Sequence, residues 1–405
     1  MHILVISNLV PPAIRGGYEV ECAAVCEYLR TNGHDVRVLT SREGLETPPQ
    51  RGVLRALWFL KGTARGSLLA PLASIAAART IRKELAAHGP FDLIWCWNGA
   101  NIPQCVIRIA SLSGTPFAFR VCEHWFSRLY VSDQFMRHLH PGERGLLGLW
   151  ARLMRLVNRL PVLKLETDLP ARAWISWNSD SIRSESTIPE GVLAVGERVI
   201  LSTPPNGPRF AEIVRSPSET PTILFVGRVE SQKGVEVAYR ALARLRAKYD
   251  LDASLLVAGT GDAVYVDKLD RLADDLGVAA HIQRLGSLDL DALASVMATA
   301  HVQVVPSIWL EPTGMVCIEA ALARVPVVAS DIGGIPEFLS NDNEALLVEA
   351  GDVEGFADAI ARTLLDREET ELRTIRARER AESFSFDRYL EESSRFVEEV
   401  VGSSQ

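Results

Sequence analysis

The 405-residue sequence predicts an α/β protein made of two successive Rossmann-like domains, each built on a parallel sheet. Three observations predict it. A chain of this length exceeds what one ordinary hydrophobic core holds. Short apolar runs of strand length alternate with longer runs of helical periodicity, and strand–helix–strand alternation makes parallel sheets. The alternation stops once, at "STPPNGPRFAEIVRSPSETP" (202–221), where five prolines and little periodicity read as a linker, and then restarts.

The first strand is "HILVIS" (2–7). It lacks a preceding basic segment and a cleavage site, so it reads as a strand and not as a signal peptide. A loop, "NLVPPAIRGG", leads to a helix, "YEVECAAVCEYLRTNG", which Asn32-Gly33 ends, and then to the strand "HDVRVLT". Residues 52–88 read as helical, apolar with basic residues interspersed. "FDLIWCW" (91–97), "PFAFRV" (116–121) and "AWISWNS" (173–179) are strands, and 140–165 is a second arginine-bearing helical segment. Beyond the linker, "TILFVG", "SLLVAG", "HIQRLG", "VQVVPS" and "VPVVAS" are strands. Between them lie "VEVAYRALARLRAKY", "YVDKLDRLADDLG", "DALASVMATA" and "GMVCIEAALA" as helices. The chain closes on an acidic amphipathic helix, "FSFDRYLEESSRFVEEVV".

Composition excludes several classes. The chain is 47% hydrophobic and 23% charged, which is globular and not disordered. No run of about 18 uncharged apolar residues is present, so no transmembrane helix is expected. Six cysteines (22, 26, 96, 105, 122, 317) show no CxxC and no metal-ligand spacing, which reads as free thiols in a reducing cytosol. Net charge is −8 but uneven: residues 1–200 hold 23 Lys+Arg against 17 Asp+Glu (+6), and the remainder 20 against 34 (−14). The basic half suits an anionic ligand or a membrane surface, or is simply a solvated face. It is too weakly basic for a nucleic-acid partner. No Ser/His/Asp or Cys/His arrangement and no GxSxG is evident.

In parallel sheets, ligands bind at the carboxyl ends of strands, where loops lead into helix N-termini with free N–H groups. Three loops have that placement. "PPAIRGG" (11–17) sets Gly16-Gly17 before a helix, where backbone amides can approach a phosphate or an acceptor; a purely structural turn fits equally. "GRVESQKG" (227–234) follows the first strand of the second domain. Its Arg228 and Lys233, five apart, suit a diphosphate, against the alternative of ordinary surface charge. "SIWLEPTGMVCIEAALARVPVVAS" (307–330) places Glu311 just outside a helix start at Pro312-Thr313. If that helix starts near Thr313, Glu319 lies about 9 Å further along the axis at ~1.5 Å per residue. Two carboxylates then flank free amides, which fits a ligand with hydroxyls at both ends and phosphates between, as in a nucleotide sugar. Two other patterns weigh less. "GTGDAV" (259–264) begins GxG after a strand but lacks a third glycine, and Asp289-Leu290-Asp291 spells DxD where aspartates cap a helix.

On these residues the chain resembles the family-4 retaining glycosyltransferases of the GT-B fold, over most of its length. "EPTGMVCIEAALARVPVVASDIGGIPE" is similar to that family's Glu-x₇-Glu motif and its downstream Pro-Val-Val, Gly-Gly and Glu. "FVGRVESQKGVEVAYRAL" resembles its diphosphate-binding segment, "PPAIRGGYEVECAAVCEYLRTNGHDVRVLT" its N-terminal double-glycine loop and helix, and "PPNGPRF" its Asn-Gly turn after the linker.

The resemblance implies two domains facing across a cleft. Residues 1–205, with a returning helix at 385–405, would bind the acceptor, and 206–384 the nucleotide-sugar donor. Glu311 would bind hydroxyls of the donor sugar, the amides of Thr313, Gly314, Met315 and Val316 would hold sugar and phosphate, and Glu319 would bind the ribose. Arg228 and Lys233 would neutralise the leaving diphosphate. Gly17 would approach phosphates or acceptor, and Arg284 would lie on the strand-end loop that borders the base. The reaction implied is retaining and metal-independent, with a nucleoside-diphosphate sugar as co-substrate and no cofactor.

The sequence departs from the family where an aromatic often replaces Thr313, and where Gly usually replaces Arg324; a left-handed arginine there would cost about 1–2 kcal/mol. Where the family often has a strand-end His, "VCEHW" (121–125) offers Cys122 by one alignment and His124, a sugar contact, by another, with Glu123 between them. The loop "VCEHWFSRLY", with Glu123, His124, Trp125, Arg128 and Tyr130, suits a small hydroxylated or ionic acceptor. The function expected is glycosyl transfer to a small soluble metabolite or natural product by a cytoplasmic enzyme. The alternative is a membrane-lipid or polysaccharide-precursor acceptor, with peripheral attachment. From other classes, an NAD-dependent oxidoreductase would need GxGxxG after a first strand, and a non-catalytic nucleotide-sugar-binding protein would not hydrolyse its donor.

Overall fold

The computed structural model describes residues 1–46, 48, 50–60, 64–127, 171–189 and 191–403. The expected helical segment 140–165 lies outside them, as do Arg128 and Tyr130. The chain divides into two compact units: Met1–Ile200 with Leu390–Gln405, and Leu201–Tyr389.

The first unit contains β1 (His2–Ser7), α1 (Gly17–Thr31), β2 (Asp35–Ser41), β3 (Val53–Leu57), α2 (Ala64–His88), β4 (Leu93–Asn98), α3 (Cys105–Ser111), β5 (Phe117–Val121), β6 (Ala171–Trp177), α4 (Asp180–Glu185) and β7 (Val192–Val199). Its strands form one parallel sheet in the order β3-β2-β1-β4-β5-β6-β7. Central strands are buried on both faces, so β1 and β4 read as unbroken apolar runs. The stretch 52–88 is not one helix. Its first part is the edge strand β3, whose mixed burial gives no clear period, and only 64–88 is helical. The edge strand β7 escaped the sequence reading for the same reason, since its residues alternate between half-buried and exposed.

The second unit contains α5 (Gly207–Ala211), β8 (Thr222–Val226), α6 (Val235–Tyr249), β9 (Ser254–Ala258), α7 (Ala263–Asp275), β10 (Ile282–Gly286), α8 (Leu290–Thr299), β11 (Val302–Val305), α9 (Met315–Leu322), β12 (Val327–Ser330), α10 (Ile335–Phe338), β13 (Leu346–Val348), α11 (Val353–Leu365) and α12 (Arg367–Glu382). The sheet is parallel, in the order β10-β9-β8-β11-β12-β13. The proline-rich stretch is fixed rather than slack: it includes α5, and the Arg215 guanidinium donates to the carbonyls of Met297 and Ala300. The last helix, α13 (Phe386–Gly402), starts in the second unit and continues into the first. There Phe396 packs between Trp95 and Trp174 (ring centroids 5.7 and 6.2 Å), and Glu399 pairs with Arg198 at 3.1 Å.

In each unit the strand order reverses once, between β1 and β4 and between β8 and β11. Loops leaving adjacent strands at such a point diverge to opposite faces and open a crevice at the carboxyl ends. All six cysteines are buried, and none of them forms a disulfide. Among the described residues no helix is long and apolar enough to cross a membrane.

Two substitutions separate backbone geometry from contacts. Arg324 has φ 55°, the left-handed conformation expected if the family's glycine position keeps its shape. Arg324→Gly should therefore stabilise the second unit by about 1 kcal/mol. Gly234→Ala should destabilise it, because φ is 69° and a Cβ would fall 1.7 Å from the Pro306 carbonyl oxygen. Thermal melts of the two variants moving in opposite directions are the expected result.

Candidate functional site

The loops after β8 and β11 leave the sheet of the second unit at its reversal point, and both carry the residues singled out in the sequence. The first loop makes a short 3₁₀ turn over Ser231–Lys233 and enters α6 through Gly234. Glycine there lets the turn touch the backbone of the second loop, and the Ile308 amide donates to the Gln232 carbonyl at 3.0 Å. The two loops are thus laced together before any side chain is considered.

Lys233 Nζ donates to both oxygens of Glu311, at 2.7 and 2.9 Å, and Ser307 Oγ donates to Glu311 Oε1 at 2.5 Å. Glu311 is only 5% exposed. Lys233 also lies over the Trp309 ring, 5.5 Å from its centroid. The sequence reading sent Glu311 to a sugar and Lys233 to a diphosphate; the structure brings them together as one ion pair. Ser307 was missed, although it stands four residues before Glu311 on the same loop. Arg228 is half-exposed and donates to Glu230 Oε1 at 2.9 Å.

The backbone of Glu311 is held as firmly as its side chain. The Gly334 amide donates to the Glu311 carbonyl at 2.7 Å. A Cβ at Gly333 would sit 2.3 Å from that carbonyl oxygen, and one at Gly334 would sit 2.3 Å from the Pro312 carbonyl oxygen. The paired glycines downstream of the glutamate motif are therefore a contact surface for the motif itself.

Helix α9 starts at Met315, two residues later than the sequence suggested, with Gly314 as N-cap at φ 67° and no side-chain cap. Gln303 of β11 donates to the Val316 carbonyl at 2.8 Å and pins the first turn to the sheet. Among the described residues, no acceptor reaches the amides of Thr313, Gly314, Met315 or Val316. A helix N-terminus with free amides attracts an anion through those donors and through its dipole. Glu319, one turn on, is a partly exposed residue whose carboxyl is nonetheless enclosed by protein atoms, and burial pushes its pKa up to about 7.

Arg284 does not lie on a strand-end loop. It is inside β10, paired with Val257 in register, and its guanidinium forks onto Asp270 of α7. Asp289 caps α8 by accepting from the Ala292 amide at 2.8 Å, and Asp291 pairs with Arg209, so the DxD pattern serves a helix start and its neighbour. Asp262 of "GTGDAV" caps α7, accepting from the Val264 amide at 3.0 Å. Among the described residues no group of three or more His, Cys, Asp or Glu has metal-binding geometry.

In the first unit the double-glycine loop is already occupied by the chain. Glu19, fully buried, accepts from the amides of Arg15 (3.0 Å) and Gly16 (2.9 Å). Burial pushes that carboxyl up, and the amides pull it back. Gly17 is the first residue of α1. At the end of β5, Cys122 is buried and its thiol is pushed up to about 12 by that burial. His124 sits half-buried in the turn that follows. Glu123 accepts from Asn98 Nδ2 at 2.8 Å.

Comparison with known proteins agrees with this geometry. Residues 208–380 match the family described as Glycosyl transferases group 1, and residues 16–161 match the Glycosyl transferase 4-like domain. The chain is 33% identical over 396 residues to a phosphatidyl-myo-inositol mannosyltransferase of Mycolicibacterium smegmatis, covering 96% of this chain and 92% of that protein. Among solved structures, sucrose-phosphate synthase from Thermosynechococcus elongatus superposes with a TM-score of 0.73 at 19% identity, covering 99% of each chain. HepE of Anabaena, in complex with UDP and glucose, superposes with a TM-score of 0.69 at 18% identity, covering 98% of this chain and 100% of that one. Two parallel-sheet units, a glutamate-flanked helix N-terminus at the reversal point of the second, and matches along nearly the whole length place the chain among the family-4 glycosyltransferases of the GT-B fold.

Proposed function

We propose that the protein transfers a glycosyl group from a nucleoside-diphosphate sugar to a hydroxyl acceptor, with retention and without a divalent metal. The observation that carries the donor assignment is the α9 N-terminus. Its free amides receive the phosphates, Glu319 accepts from the ribose hydroxyls, and Glu311 accepts from hydroxyls of the sugar. Lys233 and Arg228 supply positive charge as the diphosphate leaves, and amides fixed in advance stabilise that charge without reorganising. The neighbouring structure solved with UDP and glucose supports this class of donor. The acceptor is a small hydroxylated molecule bound by the first unit.

A lipid-linked acceptor is the second reading, and a specific patch favours it. Ile14 and Leu45 are 53% and 55% exposed on the loops after β1 and β2. Beside them Arg15 stacks on Phe59 at 4.6 Å and Arg42 on Trp58 at 5.5 Å. Apolar tips among cations suit an anionic bilayer surface, and the relative from Mycolicibacterium smegmatis is named for a phosphatidylinositol acceptor. Flotation with anionic liposomes at physiological salt separates the readings. Protein that stays with the buffer supports the soluble acceptor; protein that rises with the lipid, and loses this on Ile14→Ser with Leu45→Ser, supports the lipid one.

Lys233→Ala leaves the buried Glu311 carboxylate without its cation. It should lower stability by about 3 kcal/mol, the low end for breaking a buried pair, since Lys233 keeps some contact with water. Transfer should fall by roughly 10²-fold or more, while wild-type turnover of UDP-glucose or GDP-mannose persists in excess chelator. Normal turnover in the variant, or chelator-sensitive turnover in the wild type, would count against the assigned chemistry. A protein that binds donor yet releases no sugar to any acceptor or to water would be a binding protein instead.

Glu319 gives donor binding a pH signature. Its folded pKa, raised to about 7, means that its contribution to stability is present below the ordinary carboxyl value near 4.5 and is lost as pH rises through 7. A ribose hydroxyl donates best to the ionised form, so affinity for an intact nucleotide sugar should rise with pH between about 6 and 8, with proton release on binding near neutrality. Calorimetry in two buffers of different ionisation enthalpy reads that release. Glu319→Gln should abolish both the release and the slope.

A further inference from the structure

The loop that leaves β11 carries one buried polar side chain to which the sequence patterns assigned no role. Ser307 stands two residues past the end of that strand and is 1% exposed, so water does not compete for its hydroxyl. The backbone is fixed on both sides of it. The Pro306 carbonyl lies where any side chain at Gly234 would fall, and the Ile308 amide donates to the Gln232 carbonyl at 3.0 Å. The Ser307 hydroxyl is thus placed by the sheet and by backbone contacts, through one side-chain torsion. Lys233 is placed differently. Its ammonium ends a flexible four-carbon stem, held at its tip by Glu311 and by the Trp309 ring.

These two donors share one carboxylate unequally. Glu311 Oε1 accepts from Ser307 at 2.5 Å and from Lys233 at 2.7 Å. Oε2 accepts from Lys233 at 2.9 Å and, among the described residues, from no other donor. A carboxylate oxygen offers two lone pairs. Oε1 is therefore filled, and Oε2 keeps the open acceptor position. With Lys233 alone the carboxylate would turn with the lysine, and neither oxygen would be distinguished. The serine proton breaks that symmetry and ties Oε1 to β11. Lys233 cannot do the same, because its ammonium is also the cation that an arriving phosphate attracts.

Resting on the proposed transfer reaction, we infer that Ser307 is a positioning residue, which keeps Glu311 aligned with the donor sugar when Lys233 is drawn to the diphosphate. In that reaction the bond from the anomeric carbon to the diphosphate oxygen breaks, and its electron pair leaves with the diphosphate. The acceptor oxygen forms the new bond and gives its proton to the leaving group. Negative charge grows on the diphosphate as this happens, and Lys233 then serves two anions at once. Ser307 serves one only. It holds Oε1 while the lysine loosens, and Oε2 stays aimed at a sugar hydroxyl. Ser307 touches no substrate, so its effect falls on bond breaking and not on nucleotide binding.

The test uses the full chain and needs no identified acceptor. Sugar released to water is read with UDP-glucose and GDP-mannose, and calorimetry with UDP and GDP reads the nucleotide site separately. Ser307→Ala should lower sugar release by about tenfold or more, as for loss of a hydrogen bond to a charged group, with nucleotide affinity within about twofold of wild type. Ser307→Thr, which keeps the hydroxyl, should restore most of the lost rate. Three results overturn the inference and leave the donor reading standing: unchanged release in Ser307→Ala, release and nucleotide affinity falling together, or Ser307→Thr no faster than Ser307→Ala. A wild type that releases no sugar from any donor of the base it binds sinks the transfer reading, and the inference falls with it.

Discussion

The ion pair between Lys233 and Glu311 fixes the second unit's site before any ligand arrives. Two charges taken out of water cost several kcal/mol each unless geometry and further hydrogen bonds compensate. Here the lysine reaches both carboxylate oxygens, Ser307 satisfies one of them again, and the Trp309 ring lies against the ammonium. The pair forms only because the two loops touch, and they touch only because Gly234 presents no side chain to the Pro306 carbonyl. Gly333 and Gly334 press the Glu311 backbone from the other side. A carboxylate so constrained has lost its rotamer freedom on folding rather than on binding, which lowers the entropy that a ligand must overcome.

The two units answer one electrostatic problem in two ways. Each places a helix N-terminus at the point where its strand order reverses, and each must satisfy the amides there. In α1 the chain supplies its own anion, the Glu19 carboxylate, across the Arg15 and Gly16 amides. In α9 no side chain caps, and Gly314 leaves the amides open. The first solution ties down the two amides that precede the helix; the second leaves the amides around its N-cap without a side-chain partner.

Much of this was legible in the sequence. The two-domain parallel architecture followed from periodicity, because strands buried on both faces are continuous apolar runs. The loops after β8 and β11 followed from glycines and charges at strand ends. The first unit's edge strands were not legible: β3 and β7 bury one side at most and lose the apolar signal, so β3 was absorbed into a helix. Nor could spacing reveal that Lys233 would spend its charge on Glu311, 78 residues away, or that Arg284 would face Asp270 from within a strand. Contacts between loops depend on how the strands are ordered, and strand order is a property of the assembled sheet. Asn8 and Asn98 carry no local pattern at all, and become partners only because β1 and β4 are neighbours.

The burial of all six cysteines has a practical corollary. A thiol reacts as its thiolate, and burial has pushed Cys96, Cys122 and Cys317 far from that form. Alkylating reagents should therefore pass over the native chain while it is folded. A single cysteine introduced at an exposed position would be the one reactive sulfur, without removing any native residue from the core. The wild-type background is in this sense a ready host for paired fluorescent or spin labels, one on each unit, and the separation between the units during turnover becomes a measurable quantity.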